Sequence, residues 1–224
     1  MSLPNLLPAV ELNPAAEPQA CVIWLHGLGA DGYDFVPIVE ELDLPDEAAI
    51  RFVFPHAPKQ PVTINGGYIM PAWYDIRTPN LRQQEDETGI RESVAALNAW
   101  IDHEAALGIP ASRILLAGFS QGGAIALFAG LTYPARLAGI MALSTYLPLP
   151  QQLSHDHSPY TSGLPVFVGH GNADTIVPPE AGVSSAAVLQ GMGCDVSLHR
   201  YDMAHSVNQE EIRDIRSWLL QYLG

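Results

Sequence analysis

The chain has 224 residues, 48% hydrophobic and only 15% charged, which is enough apolar material for one well-packed domain over residues 1–224. Ten basic residues against 24 acidic ones give a formal charge of −14, a surface that repels phosphates and so excludes nucleic acid and stable association with anionic membranes. No apolar run reaches the about 18 residues of a membrane span, and the opening MSLPNLLPAVELNP lacks the basic start and apolar stretch of a secretion signal, so a cytoplasmic location is expected.

In chain order, ACVIWLHG (20–27) is the first nearly continuous apolar run, the pattern of a buried parallel strand. HGLGADG (26–32) follows it as a glycine-rich loop, and RFVFP (51–55) reads as a second strand. Residues 56–82, with four prolines and two adjacent glycines, read as a long irregular excursion of the kind that shapes sites on α/β sheets. Ile90, Val94, Leu97 and Ile101 fall on one face of a helix ending near Gly108 and Pro110. RILLAGF (113–119) is a strand, and Ala124, Leu127, Phe128 and Leu131 give the apolar face of a helix directly after Ser120. LAGIMALS (137–144) and LPVFVGHG (164–171) are further buried strands, and the more alternating DVSLHRYD (195–202) suits a strand nearer an edge. Ile212, Ile215, Leu219 and Tyr222 close the chain with a helix. Strands alternating with helices predict an α/β architecture, a mostly parallel central sheet with helices on both faces. Cys21 and Cys194 each open a strand and form no CxxC pair; two free buried thiols are the simplest reading, with one disulfide the alternative.

Gly118-Phe119-Ser120-Gln121-Gly122 fits G-x-S-x-G, and it sits where a buried strand gives way to a helix. The motif alone is common; the strand–turn–helix context gives it weight. Such a turn lifts a serine hydroxyl above the carboxyl edge of the sheet, beside the free N–H groups that open the helix. A serine needs a base, and on this topology the partners follow in the order Ser, Asp/Glu, His. His205 lies between the last strand and the last helix. His170 precedes the acid, His199 is inside a strand, and His155 and His157 are in a polar loop. Asp174 follows the strand 164–171, with Asp202 as its rival. The expected oxyanion donors are the backbone amides of Gln121 and of Leu28 in the glycine loop. His26, at the end of a strand, reads as structural. Leu28, Trp73, Phe119, Tyr146, Leu147 and Ile176 are expected to form an apolar acyl pocket without Lys or Arg; for Trp73 and Leu147 the alternative is a core position. His155-Asp156-His157 has no third ligand cluster, and GLGADG lacks the G-x-G-x-x-G spacing, so neither a metal nor a dinucleotide cofactor is expected.

The segments VIWLHGLGADGYDF, RFVFPHAP, NGGYIMPAWYDI, SRILLAGFSQGGAIAL, ALSTYLP, GHGNADTIVP and HSV occur in one order from about residue 18 onward. In this the chain resembles the phospholipase/carboxylesterase family of α/β-hydrolases, which includes bacterial carboxylesterases and acyl-protein thioesterases. INGGY and ALSTY make it similar to the bacterial carboxylesterases. The resemblance implies an α/β-hydrolase fold with no large cap domain, Ser120 as nucleophile, Asp174 as acid, His205 as base, and Leu28 and Gln121 as oxyanion donors. It implies hydrolysis of short- to medium-chain carboxylic esters through an acyl-enzyme, with no cofactor, by a monomer or homodimer. Thioesterase members tend to carry Gly and Trp where this chain has Thr145 and Tyr146. The alternatives are a thioesterase or lysophospholipase, the former acting on a lipidated protein, and a non-catalytic ligand-binding protein of the same fold.

Overall fold

The computed structural model describes residues 6–224; the first five residues, part of the opening stretch discussed above, lie outside it. In chain order the elements are β1 (Ala9–Leu12), β2 (Ala20–Leu25), α1 (Val36–Glu41), β3 (Ile50–Pro55), β4 (Lys59–Val62), β5 (Tyr68–Pro71), α2 (Glu87–Ala106), β6 (Ile114–Phe119), α3 (Gln121–Thr132), β7 (Gly139–Leu143), α4 (Pro150–Asp156), β8 (Pro165–Gly171), α5 (Pro179–Gly191), β9 (Asp195–Tyr201) and α6 (Gln209–Leu223). Among the described residues, seven strands make one sheet in the order β1-β3-β2-β6-β7-β8-β9, and β4 and β5 form a separate antiparallel hairpin. Only β1 runs antiparallel, on β3. The six expected strands are all in this sheet, and the more alternating one, β9, is at its edge. The excursion 56–82 contains the β4–β5 hairpin, which composition did not show.

Side chains alternate across a strand, so the apolar runs supply two cores. On one face Ile23, Leu25, Leu116, Ile140, Val166 and Val168 pack against α2 and α3 and against Leu189 of α5. On the other, Val22, Trp24, Phe52, Leu115, Met141 and Phe167 pack against Ile212, Ile215, Trp218 and Leu219 of α6, with α1 alongside. Each large apolar side chain buried this way contributes about 1.5–3 kcal/mol. Helix α3 is buried from Gln121 to Leu131. It has no polar face because it lies between the sheet and α2, and the residue that opens it is therefore held from all sides.

Polar groups inside these layers are mostly paired. Arg51 joins β3 to β1 and α2 through Glu11 at 2.6 Å, Glu104 at 3.1 Å and Asn13. Cys21 and Cys194 are free and buried. Several buried polar atoms lack a partner, and Glu211 is the side chain among the described residues with both carboxyl oxygens in that state. Its amide is capped by the Asn208 side chain at 2.9 Å, yet its carboxyl is fully buried and both oxygens lack a partner. The carboxyl lies against Gly169 of β8, where a Cβ would overlap it. Burial, with the neighbouring Asp214 charge adding to it, pushes this carboxyl up to about 8 from an ordinary 4.5.

The folded state therefore holds the Glu211 proton more tightly than the unfolded chain does. The associated stability is fully present below pH 4.5 and is lost as pH rises through about 8. Glu211→Gln should raise the melting temperature at pH 8 by several degrees more than at pH 5, measured by thermal denaturation at both values. An equal shift at the two pH values would show that the carboxyl is ionised in the native state.

Candidate active site

Strand β6 ends at Phe119 and α3 starts at Gln121, so the whole reversal falls on Ser120. Its backbone sits at φ 53° and ψ −119°, a region that L-residues rarely occupy. Two bonds hold it there: the Ser120 amide donates to the Leu143 carbonyl at 2.9 Å, and the Thr145 hydroxyl donates to the Ser120 carbonyl at 2.6 Å. The flanking glycines are there for space. A Cβ on Gly118 would overlap the backbone of Gly122, and a Cβ on Gly122 would meet the carbonyl oxygens of Leu25 and His26 at 2.5 Å.

The loops after β8 and β9 run together beside this turn. Asn172 donates to the Tyr201 carbonyl at 2.8 Å and Ala173 to the Met203 carbonyl at 3.0 Å. This zipper puts Asp174 and His205 in contact, with His205 Nδ1 2.7 Å from Asp174 Oδ2. The other carboxylate oxygen, Oδ1, accepts the Ile176 and Val177 amides, each at 2.9 Å, so the buried acid is well supplied with donors. The His205 ring packs on Phe119, the residue before Ser120, with centroids 4.7 Å apart. Since Nδ1 faces Asp174, Nε2 is the nitrogen left for other work. Asp202 is exposed, and its side chain makes no hydrogen bond among the described residues.

His170 is a second histidine near the acid. Its Nε2 donates to the Val177 carbonyl at 2.9 Å and lies 3.4 Å from Asp174 Oδ2. Burial lowers its pKa and keeps it neutral, so it serves as a brace behind the acid loop. His26 is likewise buried and pushed down by desolvation. Its Nδ1 donates to the Gly27 carbonyl at 2.8 Å, and its Nε2 accepts the Ala57 amide at 3.1 Å, a fully used structural imidazole.

The glycine loop after β2 passes close to the turn: a Cβ on Gly27 would stand 3.5 Å from that of Ser120. The Leu28 amide has no hydrogen-bond partner among the described residues, whereas the next amide, Gly29, donates to the Pro71 carbonyl at 2.9 Å. The Gln121 amide opens α3, where the helix itself offers it no acceptor. Two free backbone donors thus flank Ser120.

The expected acyl pocket is only partly brought together. Tyr146 lines a cavity of about 340 Å³ with Pro79, Leu81, Arg82, Pro178 and Ala181. Phe119 and Leu28 are half-buried beside the turn, and Ile176 is 63% exposed and outside the cavity lining. Trp73 and Leu147 are instead core residues, 2% and 0% exposed. The reason at Trp73 is its N–H, which meets an acceptor inside the protein, the His26 carbonyl at 2.8 Å. Arg82 also stands in the lining of the cavity beside Tyr146, donating to Ser184 Oγ at 2.8 Å. Leu81, Arg82 and the α5 residues went unnoticed in the sequence because they lie in irregular or small-residue stretches. A larger cavity of about 710 Å³ opens between Arg51, Glu104 and Arg113 at the opposite ends of the strands, away from Ser120. In the His155-Asp156-His157 stretch, Asp156 is bound to Arg91 at 2.7 Å, and the described residues hold no cluster of three or more metal-ligating side chains.

Comparison with known proteins places this geometry. The model of the Phospholipase/Carboxylesterase family matches residues 8–223. The chain is 38% identical over 217 residues to acyl-protein thioesterase 1 of Yarrowia lipolytica, covering 95% of this chain and 96% of that protein. It is 36% identical over 222 residues to a probable carboxylesterase of Oryza sativa, covering 98% of this chain and 84% of the other. The crystal structure of Zea mays acyl-protein thioesterase 2 superposes with a TM-score of 0.87 at 29% identity, over 97% of this chain and 100% of that one. With a match that spans the sheet, the Ser120 turn and both loops that meet at His205, the chain belongs to the phospholipase/carboxylesterase family of α/β-hydrolases.

Proposed function

We propose that the protein is a serine hydrolase that cleaves carboxylic esters of short- to medium-chain acyl groups. The observation that carries this is the 2.7 Å bond between His205 Nδ1 and Asp174 Oδ2, made beside the strained turn at Ser120. In this reading Ser120 Oγ attacks the acyl carbonyl while His205 Nε2 takes its proton. Asp174 keeps the other imidazole nitrogen protonated and stabilises the imidazolium that forms. The amides of Leu28 and Gln121 take up the negative charge on the carbonyl oxygen. His205 then gives the proton to the departing alcohol or thiol, and a water molecule, deprotonated by the same imidazole, releases the acid from Ser120. The chemistry closes without a cofactor. The cavity beside Tyr146 takes the acyl chain; its wall is one residue from Thr145, which holds the Ser120 carbonyl.

A second reading concerns the leaving group. The relatives named acyl-protein thioesterase 1 favour a thioester, and with it a lipidated protein in the cytoplasm as substrate. Oxoester and thioester share the acyl half of the mechanism, so a pair of substrates with the same acyl chain and different leaving atoms separates the two readings.

Ser120→Ala should lower kcat by about 10⁴- to 10⁶-fold with the fold intact, because the groups act as a unit. The same variant should lose labelling by a fluorophosphonate, which wild type takes up; no labelling of wild type would point to a ligand-binding protein. Asp174→Asn should cost about 10⁴-fold in kcat by presenting the wrong imidazole tautomer, and Asp202→Asn should cost less than ~3-fold because it touches no histidine. A reversal of these two effects would reassign the acid. Across a series of acyl esters, kcat/KM should rise by up to ~4-fold per carbon, the worth of about 0.8 kcal/mol per buried methylene, until the cavity is full. A flat series would remove the cavity from the acyl site.

A further inference from the structure

Three segments far apart in the chain meet beside Ser120: the loop after β2, residues 71–75 from the last residue of β5 onward, and the first residue of α3. They are joined through two buried side chains. Gln121 opens a helix yet is only 3% exposed, and its carboxamide is turned into the segment 71–75. Its Oε1 accepts the Trp73 amide at 2.8 Å and its Nε2 donates to the Tyr74 carbonyl at 2.7 Å, a two-point contact like that of a neighbouring strand. The Trp73 indole carries the connection onward. Its Nε1 donates to the His26 carbonyl at 2.8 Å, and its ring lies 5.3 Å from the His26 ring. Gly29 donates back to the Pro71 carbonyl at 2.9 Å, and the Ser93 hydroxyl of α2 secures the Trp73 carbonyl from behind. Leu28 is therefore bracketed. The residue two before it and the residue after it are each bonded to the segment 71–73, and that segment is bonded to Gln121.

We propose that the Gln121 carboxamide and the Trp73 indole are positioning groups that set the spacing between the Leu28 and Gln121 amides, the two donors to the oxyanion. This rests on the reading of those amides given above and assigns Trp73 a task other than lining the acyl pocket. The Gln121 amide is fixed by its helix. The Leu28 amide is on a loop with glycines on either side and has no anchor of its own. Donors to an oxyanion work only within a few tenths of an ångström of 2.7–3.1 Å, so the loop needs an external gauge, and the chain Gln121–Trp73–His26 supplies it. The oxyanion exists only after attack on the carbonyl. A loosened gauge therefore weakens the transition state and leaves binding of the unreacted substrate as it was.

The test uses two variants. Trp73→Phe keeps an aromatic ring in the core and deletes the N–H donated to His26. Gln121→Met keeps the side-chain length and the backbone amide and deletes both bonds to the segment 71–75. Three quantities are measured on each: kcat/KM for one ester, inhibition by a trifluoromethyl ketone of the same chain length, which adds to the serine and forms an oxyanion, and inhibition by the matching methyl ketone, which binds without doing so. The expected result is a loss of roughly ten- to a hundredfold in kcat/KM. Trifluoromethyl ketone affinity should fall by the same factor, and methyl ketone affinity should change by less than about twofold. The double variant should lose no more than the weaker single variant, because both cuts sever one tether. Equal weakening of both ketones, or an unchanged kcat/KM in a folded variant, would overturn the proposal. If one variant fails to fold, the other reads the same link from its opposite end. Failure of the underlying mechanism would show separately, as activity retained by Ser120→Ala.

Discussion

Everything at the site depends on one backbone conformation, the positive φ at Ser120. The hydroxyl stands clear of the sheet because strand and helix reverse within a single residue, and that reversal leaves no room for side chains at Gly118 or Gly122. The strain is of the order of 1–3 kcal/mol and persists only because the surroundings over-determine it. They do so through the amide bond to Leu143, the hydroxyl of Thr145, and a helix buried on every side. A helix with a solvent face could rotate to relax the turn; α3 cannot.

Around this fixed point the remaining groups arrive on loops, and backbone hydrogen bonds settle their positions. Asp174 and His205 meet because Asn172 and Ala173 are bonded to the chain just ahead of His205. The acid is surrounded by amide donors and a neutral histidine, so its negative charge is met on one side by dipoles and on the other by the imidazole. The division is consistent: strands and α3 set where Ser120 stands, and loop-to-loop contacts set how Asp174 and His205 face one another.

Much of this was legible in the sequence. Parallel strands buried on both faces are written as unbroken apolar runs, so five of the seven sheet strands could be read directly, and the alternation of 195–202 marked a sixth nearer the edge. The order serine, acid, histidine, each next to a strand end, singled out Ser120, Asp174 and His205 as the residues to look at, and the structure puts the last two in contact. What could not be read has a common cause. β1 is four residues with one polar position, the β4–β5 hairpin is masked by prolines and glycines, and α5 is built from small residues with little periodicity. Trp73 shows the limit for side chains. An aromatic residue in a loop near the site reads as pocket wall, and only the position of an acceptor for its N–H shows that it faces inward.

The strand ends are also linked in a direction. The Ser120 amide is held by Leu143, the Ser144 amide by Gly169, and the Asn172 amide by Tyr201. Each donor waits on an acceptor some 23 to 29 residues later in the chain. During synthesis, when residues emerge in order, every step of this staircase leans on one not yet made. A nascent chain that has reached α3 holds a largely apolar helix without β7 beside it, the kind of surface that chaperones bind. The contact between Asp174 and His205 cannot form in a nascent chain that still lacks the last strand or the loop behind it.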